Sequence, residues 1–468
     1  MKNMLIATAV AAALSYLPAG AHAAESSDEL AQIREQLQGL MQRVDKLEQE
    51  NTQLKTENES FKAQTDYLKA ETRGLRKESA TASTAIGNLK GSEWASKIAV
   101  TGDLRYRHEQ ISDETSNAAG VQSAADRYRD RIRARLNVTA KPTDTITLGI
   151  GAATTEGGDP RSSNQTLTGS FSRKSLDLDL AYFDWKFADW GNLIGGKMKQ
   201  PFFKPSQSLF WDNDVNPEGL ALSFNRGMWF GSAYNYWISE VSGAENAVTA
   251  DASLAGAQFG ARLPIGAGTL ALAAHYYDLS AGQGRRGIFF NCANPSAVVS
   301  GTPPAVTVNA GNNNCANGNT VVGVAGAGVL ANDFEVAELS AEFNTTMGAL
   351  PFTAWAMVAE NQDPDDLNTA WATGVRVGAA SNFRTWEVGA LYQSIEKDAL
   401  FAQVIDSDFG GGLSDTEGWV LRAGYAPVKN WVINATYFMN KLNVDVPNSS
   451  GATEVDYDRL QLDFNVKF

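Results

Sequence analysis

Five arginines stand at alternate positions in one short stretch: Arg127, Arg129, Arg131, Arg133 and Arg135. In an extended chain alternate side chains share a face. All five would then project together, with Tyr128, Ile132, Ala134 and Leu136 on the other side. Arg105 and Arg107 repeat the spacing one segment earlier. Guanidinium groups stay charged and offer forked donors that match carboxylates and phosphates, so such a row is chemistry for anions. Neighbouring like charges repel, and carboxylates or anions should lie opposite them. Asp130 breaks the apolar face and marks an interface or a bulge.

Little else could react. The 468 residues include three histidines and two cysteines, almost no material for zinc clusters or histidine catalysis. His108 has no serine elbow or HExxH near it and reads as a strand residue. Asp363, Asp365 and Asp366, like Asp406 and Asp408, could touch calcium in a loop. Their spacing does not match an EF-hand, and solvated acidic loop tips are the commoner case. No glycine-rich loop precedes a lysine at P-loop spacing. The expectation is no enzyme, no metal and no cofactor. The 39 basic residues against 53 acidic ones give a net charge of −14, which argues against a nucleic-acid partner.

The elements that must carry the arginines are strands. The last ten residues alternate strictly. Leu460, Leu462, Phe464, Val466 and Phe468 lie on one face; Arg459, Gln461, Asp463, Asn465 and Lys467 lie on the other. The same period recurs from residue 98 onward, giving about sixteen strands. Short connections fall near 142–144, 189–191, 226–227, 264–268, 346–350, 381–383 and 427–430. Longer ones fall near 110–125, 156–173, 200–216, 240–252, 279–332, 362–368, 397–415 and 443–453. A soluble sandwich and a membrane barrel share the period. An even strand count with short turns at one end and long loops at the other belongs to a transmembrane barrel. Trp185, Trp190, Trp211, Trp229, Trp237, Trp371, Trp386, Trp419 and Trp431 fall near strand ends, where interfacial girdles form. In a barrel the arginines must face the lumen, since each would cost about 2–4 kcal/mol near the bilayer midplane.

The N-terminal quarter is different. Residues 1–23 have a basic start, an apolar centre and an Ala21-His22-Ala23 cleavage pattern, which together read as a secretory signal peptide. Residues 24–79 follow a heptad. The d positions are Ile33, Leu40, Leu47, Leu54, Phe61, Leu68 and Leu75; the a positions begin with Leu30, Leu37 and Val44 and then turn polar at Asn51, Asn58, Thr65 and Thr72. That is an α-helical coiled coil whose later heptads pair more weakly. Residues 80–97 form a linker, and 98–468 the barrel. Export makes a disulfide between Cys292 and Cys315, in the longest loop, the expected pairing.

Signal peptide, coiled coil and then a GDLRYRHE strand (Gly102 to Glu109) resemble the coiled-coil-bearing putative porin family of Gram-negative outer membranes. The RYRDRIRAR strand, the SNQTL segment at 163–167 and FWDNDVNPEGLALSF (Phe210 to Phe224) strengthen the resemblance. It implies a β-barrel that passes small hydrophilic solutes by diffusion. In related porins a third long loop folds inward. Here that loop is 200–216, carrying Lys204, Asp212 and Asp214, with Glu218 after it. The expectation is a constriction in which Asp212, Asp214 and Glu218 face the arginines and set a transverse field. The alternative keeps the loop outside and pairs the arginines with Glu335, Glu338 and Glu360.

The whole chain thus reads as an all-β transmembrane antiparallel barrel of about sixteen strands behind an N-terminal coiled coil. Its expected partners are outer-membrane lipid, two further copies in a homotrimer, small hydrophilic solutes or ions and, through the coiled coil, the cell wall. Two rivals remain: a substrate-specific channel with anions on the arginines, and a secreted stalked β-protein.

Overall fold

The structure, a computed structural model, describes residues 26–89, 97–114, 126–240, 251–280, 282–284, 316–322, 329–448 and 451–468. The signal-peptide residues, Cys292 and Cys315 lie outside them.

Two units make up the chain. The first is one helix, α1 (Ser26–Leu89), which runs ten residues past the expected end of the heptads at 79 and carries Gly74 within it. The side chains of Leu40, Val44, Leu47, Leu54, Phe61 and Leu68 are all exposed, an apolar stripe along the helix. Those of Leu30, Ile33, Leu37 and Leu75 lie outside the described ones. The two threonines at a positions turn back on the helix: Thr65 Oγ1 donates to the Phe61 carbonyl and Thr72 Oγ1 to that of Leu68, each at 2.7 Å.

The second unit is a closed antiparallel barrel. Its strands are β1 (Ile98–Asp113), β2 (Arg127–Ala140), β3 (Ile146–Thr154), β4 (Leu176–Ala188), β5 (Gly191–Lys197), β6 (Glu218–Arg226), β7 (Trp229–Ser239) and β8 (Ala252–Ile265). Then come β9 (Gly268–Leu279), β10 (Phe334–Met347), β11 (Leu350–Asn361), β12 (Thr369–Gly378), β13 (Thr385–Ile395), β14 (Thr416–Val428), β15 (Trp431–Leu442) and β16 (Val455–Lys467). Each sequence-predicted strand has a counterpart. A seventeenth piece, Gln165–Thr166, lies along β2 above the point where β3 stops pairing with it. We number the long connections loops 1 to 8 in chain order.

Closure comes from β16 beside β1, in register from Asp103 opposite Lys467 to Asp113 opposite Tyr457. The terminal Phe468 N–H donates to the Gly102 carbonyl at 3.0 Å, and the Gly102 N–H to the Phe468 carbonyl at 3.1 Å. Only glycine fits there, because a Cβ on Gly102 would lie 2.5 Å from both the Phe468 ring and the Arg135 carbonyl oxygen.

The period-two pattern sets the faces. Leu104, Leu136, Ile150, Leu222, Phe259, Leu339, Val375, Leu421 and Phe464 are all exposed on the outside, an apolar belt around the barrel. Most tryptophans named above are exposed with it, but Trp211 is not. It sits in loop 3 (198–217), buried against Tyr277 with ring centroids 5.1 Å apart.

The inside is packed by loops. Loop 3 folds against β7–β11. Phe202 and Trp211 lie on Tyr234 and Tyr277, and Trp211 Nε1 donates to Glu338 Oε1 at 3.2 Å. Ser206 N donates to Glu342 Oε2 at 2.6 Å, and Phe203 exchanges backbone bonds with the Gln258 amide at 2.7 Å. Loop 7 (396–415) joins it with Leu400, Phe401, Val404 and Ile405, all buried. The sequence reading had loop 7 as an ordinary long loop with solvated aspartates. It is instead part of the barrel's apolar interior, because the run Ala399–Ile405 needs cover from water.

Candidate functional site: an arginine wall and two inserted loops

β1, β2 and β16 are consecutive around the barrel, and their registers fix the site. Arg105 pairs across with Arg133 on one side and Asn465 on the other; Arg107 with Arg131 and Asp463; Glu109 with Arg129 and Gln461. These side chains turn inward at matched heights, so one wall of the lumen carries rows of guanidinium groups with carboxylates set between them.

Each carboxylate serves several arginines. Asp103 accepts from Arg133 Nε at 2.9 Å and from Arg135 Nε at 2.8 Å. Asp463 takes the fork of Arg107, Nε at 2.6 Å and Nη2 at 2.8 Å. Glu109 is fully buried and accepts from Arg459 Nη2 at 2.5 Å, Gln461 Nε2 at 3.0 Å, Arg107 Nη1 at 3.4 Å and Arg129 Nε. Charge-assisted bonds of this kind are the strong class of hydrogen bond. A carboxylate between arginines removes the repulsion that the bare row would suffer.

Three loops complete the wall. Asn164, in the SNQTL segment of loop 2, takes Arg105 on its side-chain oxygen and Arg131 Nη2 on its carbonyl, the latter at 3.1 Å. From loop 3, Asp214 accepts from Arg135 Nη1 at 3.2 Å and from Ser163 Oγ at 2.8 Å. From loop 7, Asp408 lies 2.9 Å from Arg107 Nη1 and 2.7 Å from Arg459 Nη2. Burial alone would raise the Asp408 carboxyl. Arg459 and Arg107 outweigh it and hold the group well below the usual carboxylate range. Asp214 is depressed in the same way, burial being overcome by Arg133 and Arg135.

The remaining expected residues separate. Arg127 is exposed at the loop end of β2. Asp212 is inside the barrel but pairs with no arginine among the described residues; it accepts the backbone N–H of Asp214 at 2.8 Å and of Ser407 at 3.0 Å. Lys204 is turned to the Trp211 carbonyl at 2.7 Å, and burial lowers its pKa to about 8. Glu218 is outside, on the face of Leu220 and Leu222, and pairs with Lys197 at 3.0 Å. It does not face the arginines, because it begins β6 on the outward phase. The alternative pairing fails as well. Glu338 holds His275 Nδ1 at 2.7 Å, Glu335 faces the Tyr276 hydroxyl at 3.3 Å, and Glu360 is exposed. Asp130 marks no bulge, since the β1–β2 register is unbroken. It lies on the outer face, where Tyr106 Oη and His108 Nδ1 both reach it at 2.8 Å.

Sequence reasoning missed Asp408, Asp463, Asp103, Glu109 and Arg459 as site residues. Four of them were legible in principle: their strand phase matches that of the arginines. Asp408 had one signal, the apolar run Ala399–Ile405 just before it.

A family described as putative porin matches residues 113–347 and 347–468, most of the barrel. The chain belongs to that family. It is an outer-membrane porin, a channel for solutes in the outer membrane of a Gram-negative cell. No curated protein matches the chain. Among solved structures, the porin resembles OprB of Pseudomonas putida at TM-score 0.47 and 12% identity, over 80% of this chain and 94% of that one. It resembles OmpF of Salmonella typhi, solved with daunomycin, at 0.43 and 11%, over 79% and 97%. OmpT of Vibrio cholerae aligns at 0.41 and 10%, over 79% and 97%.

Proposed function

We propose that this porin passes small hydrophilic solutes and ions by passive diffusion, without covalent chemistry, through a lumen narrowed between the arginine wall and loops 3 and 7. The observation that carries the reading is that two loop carboxylates, Asp214 and Asp408, are brought against Arg135, Arg107 and Arg459 inside the barrel. Fixed charges lining a constriction set ion preference. The short turns face the periplasm in this reading, so α1 projects there. The exposed heptad stripe of α1 supports self-association, and we take the working form to be a homotrimer, with the coiled coil reaching toward the cell wall.

Single-channel conductance in a salt gradient tests this. Discrete steps in groups of three support the trimer, and the reversal potential gives the selectivity. Anion preference supports the arginine wall as the dominant field; cation preference assigns it to the carboxylates. A folded sample that gives no steps sinks the reading.

A further inference from the structure

The arginines of β1, β2 and β16 outnumber Asp103, Glu109 and Asp463, the carboxylates that face them from the same strands. Loops 3 and 7 bring two more, and they do so by the same device. Each loop has an Asp-x-Asp turn. The Asp214 N–H donates to Asp212 Oδ1 at 2.8 Å, and the Asp408 N–H to Asp406 Oδ1 at 2.9 Å. In each turn the first carboxylate is used on backbone and the second is aimed at arginine.

The two turns are also tied to each other. Asp212 N donates to the Val404 carbonyl at 2.8 Å, Asp406 N to the Leu209 carbonyl at 3.0 Å, and Ser407 N to Asp212 Oδ2 at 3.0 Å. Moving either loop off the wall therefore moves both. Donors remain even with the loops in place: the Nε–H groups of Arg131 and Arg459 are buried without a hydrogen-bond acceptor among the described residues.

A guanidinium fork accepts a carboxylate from a solute as readily as from an aspartate. We propose that Asp214 and Asp408 stand where the carboxylate groups of anionic solutes bind, and that such a solute displaces them, releases the joined loops 3 and 7 and widens the channel. A neutral solute offers no replacement charge and would leave buried arginines unpaired. The device thus widens for carboxylates and keeps its narrow setting with neutral molecules of the same size. This rests on the porin reading above.

The test uses the full-length protein in planar bilayers in potassium chloride, with succinate or the neutral four-carbon erythritol added at millimolar concentration. Succinate should raise the wild-type step conductance at least about threefold, as a shift between two loop states would. Erythritol should leave it unchanged. D214N/D408N should begin at the raised level and ignore succinate. Should the double variant not give a heat-resistant barrel, Asp408→Asn alone should show an intermediate rise. Wild-type steps in whichever of these variants folds, or succinate that merely blocks wild type and variant alike, would overturn the proposal. A wild type with no steps at all would instead sink the porin reading, and this proposal with it.

Discussion

Asp408 reaches Arg107 at 2.9 Å from a loop that leaves the barrel wall between β13 and β14, with β15 and β16 lying between that loop's far end and β1. The contact joins segments some three hundred residues apart in the sequence. It sets the height at which loop 7 crosses the lumen.

Glu109 should be the most costly carboxylate to lose. It is fully buried among Arg107, Arg129 and Arg459. Glu109→Ala leaves buried guanidinium groups uncompensated, which costs about 3–5 kcal/mol. Thermal unfolding of the barrel in detergent should show the loss. Glu335→Ala, on the outer face, should change it little.

The loop crossing should respond to pH. Burial raises Asp212 well above the usual carboxylate range, helped by Asp406 and Asp214 and opposed by the N–H groups of Asp214 and Ser407. Burial beside Asp408 raises Asp406 too. A raised group favours the closed loops below its free pKa and ceases to do so as pH rises through its folded value. Asp408, depressed, favours closure above the ordinary carboxylate pKa and loses that only as pH falls through its low folded value. Lys204 works the other way: burial lowers its pKa to about 8, so its charge costs closure below that value and ceases to do so as pH rises through it. Conductance should therefore increase as pH rises from the ordinary carboxylate range toward about 8, above which Lys204 opposes the trend. D212N should flatten that increase; a wild-type profile that falls over this range would contradict it.

The seam between first and last strands should be intolerant of side chains. Gly102→Val places a branched Cβ against the Phe468 ring and the Arg135 carbonyl. A cost of about 1–3 kcal/mol is expected for overpacking, read as a lower temperature for loss of the compact band in electrophoresis. Gly227→Ala tests backbone conformation alone, since its Cβ meets nothing within 4 Å although φ is +63°.

The helix should carry a register signal. Asn51 and Asn58 fall at a positions. Replacing both with leucine should make the oligomer more resistant to heat while loosening its choice of register or strand number, as buried asparagines at a do the opposite. Crosslinking of the full chain before and after heating would read both effects.

Much of this was legible from residue order. Sixteen strands followed from period two, and the inward arginines from the price of charge in lipid. The rest depended on contacts distant in sequence. Trp211 looked like a girdle residue because it adjoins a strand, yet apolar loop residues beside it pull it inside. Glu218 looked like part of the acidic loop, but strand phase decides its face, and β6 begins on that residue. Loop 7 was the largest omission. An Asp-Ser-Asp at a loop tip reads as solvated unless one knows that arginines wait beside it. The helix runs to Leu89 through serine, threonine and alanine, none of which breaks a helix as proline would.

The joined loops also have a mechanical meaning. A closed barrel is a hoop of hydrogen bonds, stiff along its strands but free to flatten under sideways load. Loop 3 is fastened to β7–β11, loop 7 to β1 and β16, and backbone bonds splice them at Leu209, Val404, Asp212 and Asp406. Together they form a tie-beam across the hoop. Lateral pressure from the surrounding bilayer is then borne across the diameter as well as around the rim, and the cross-section stays round while that splice holds.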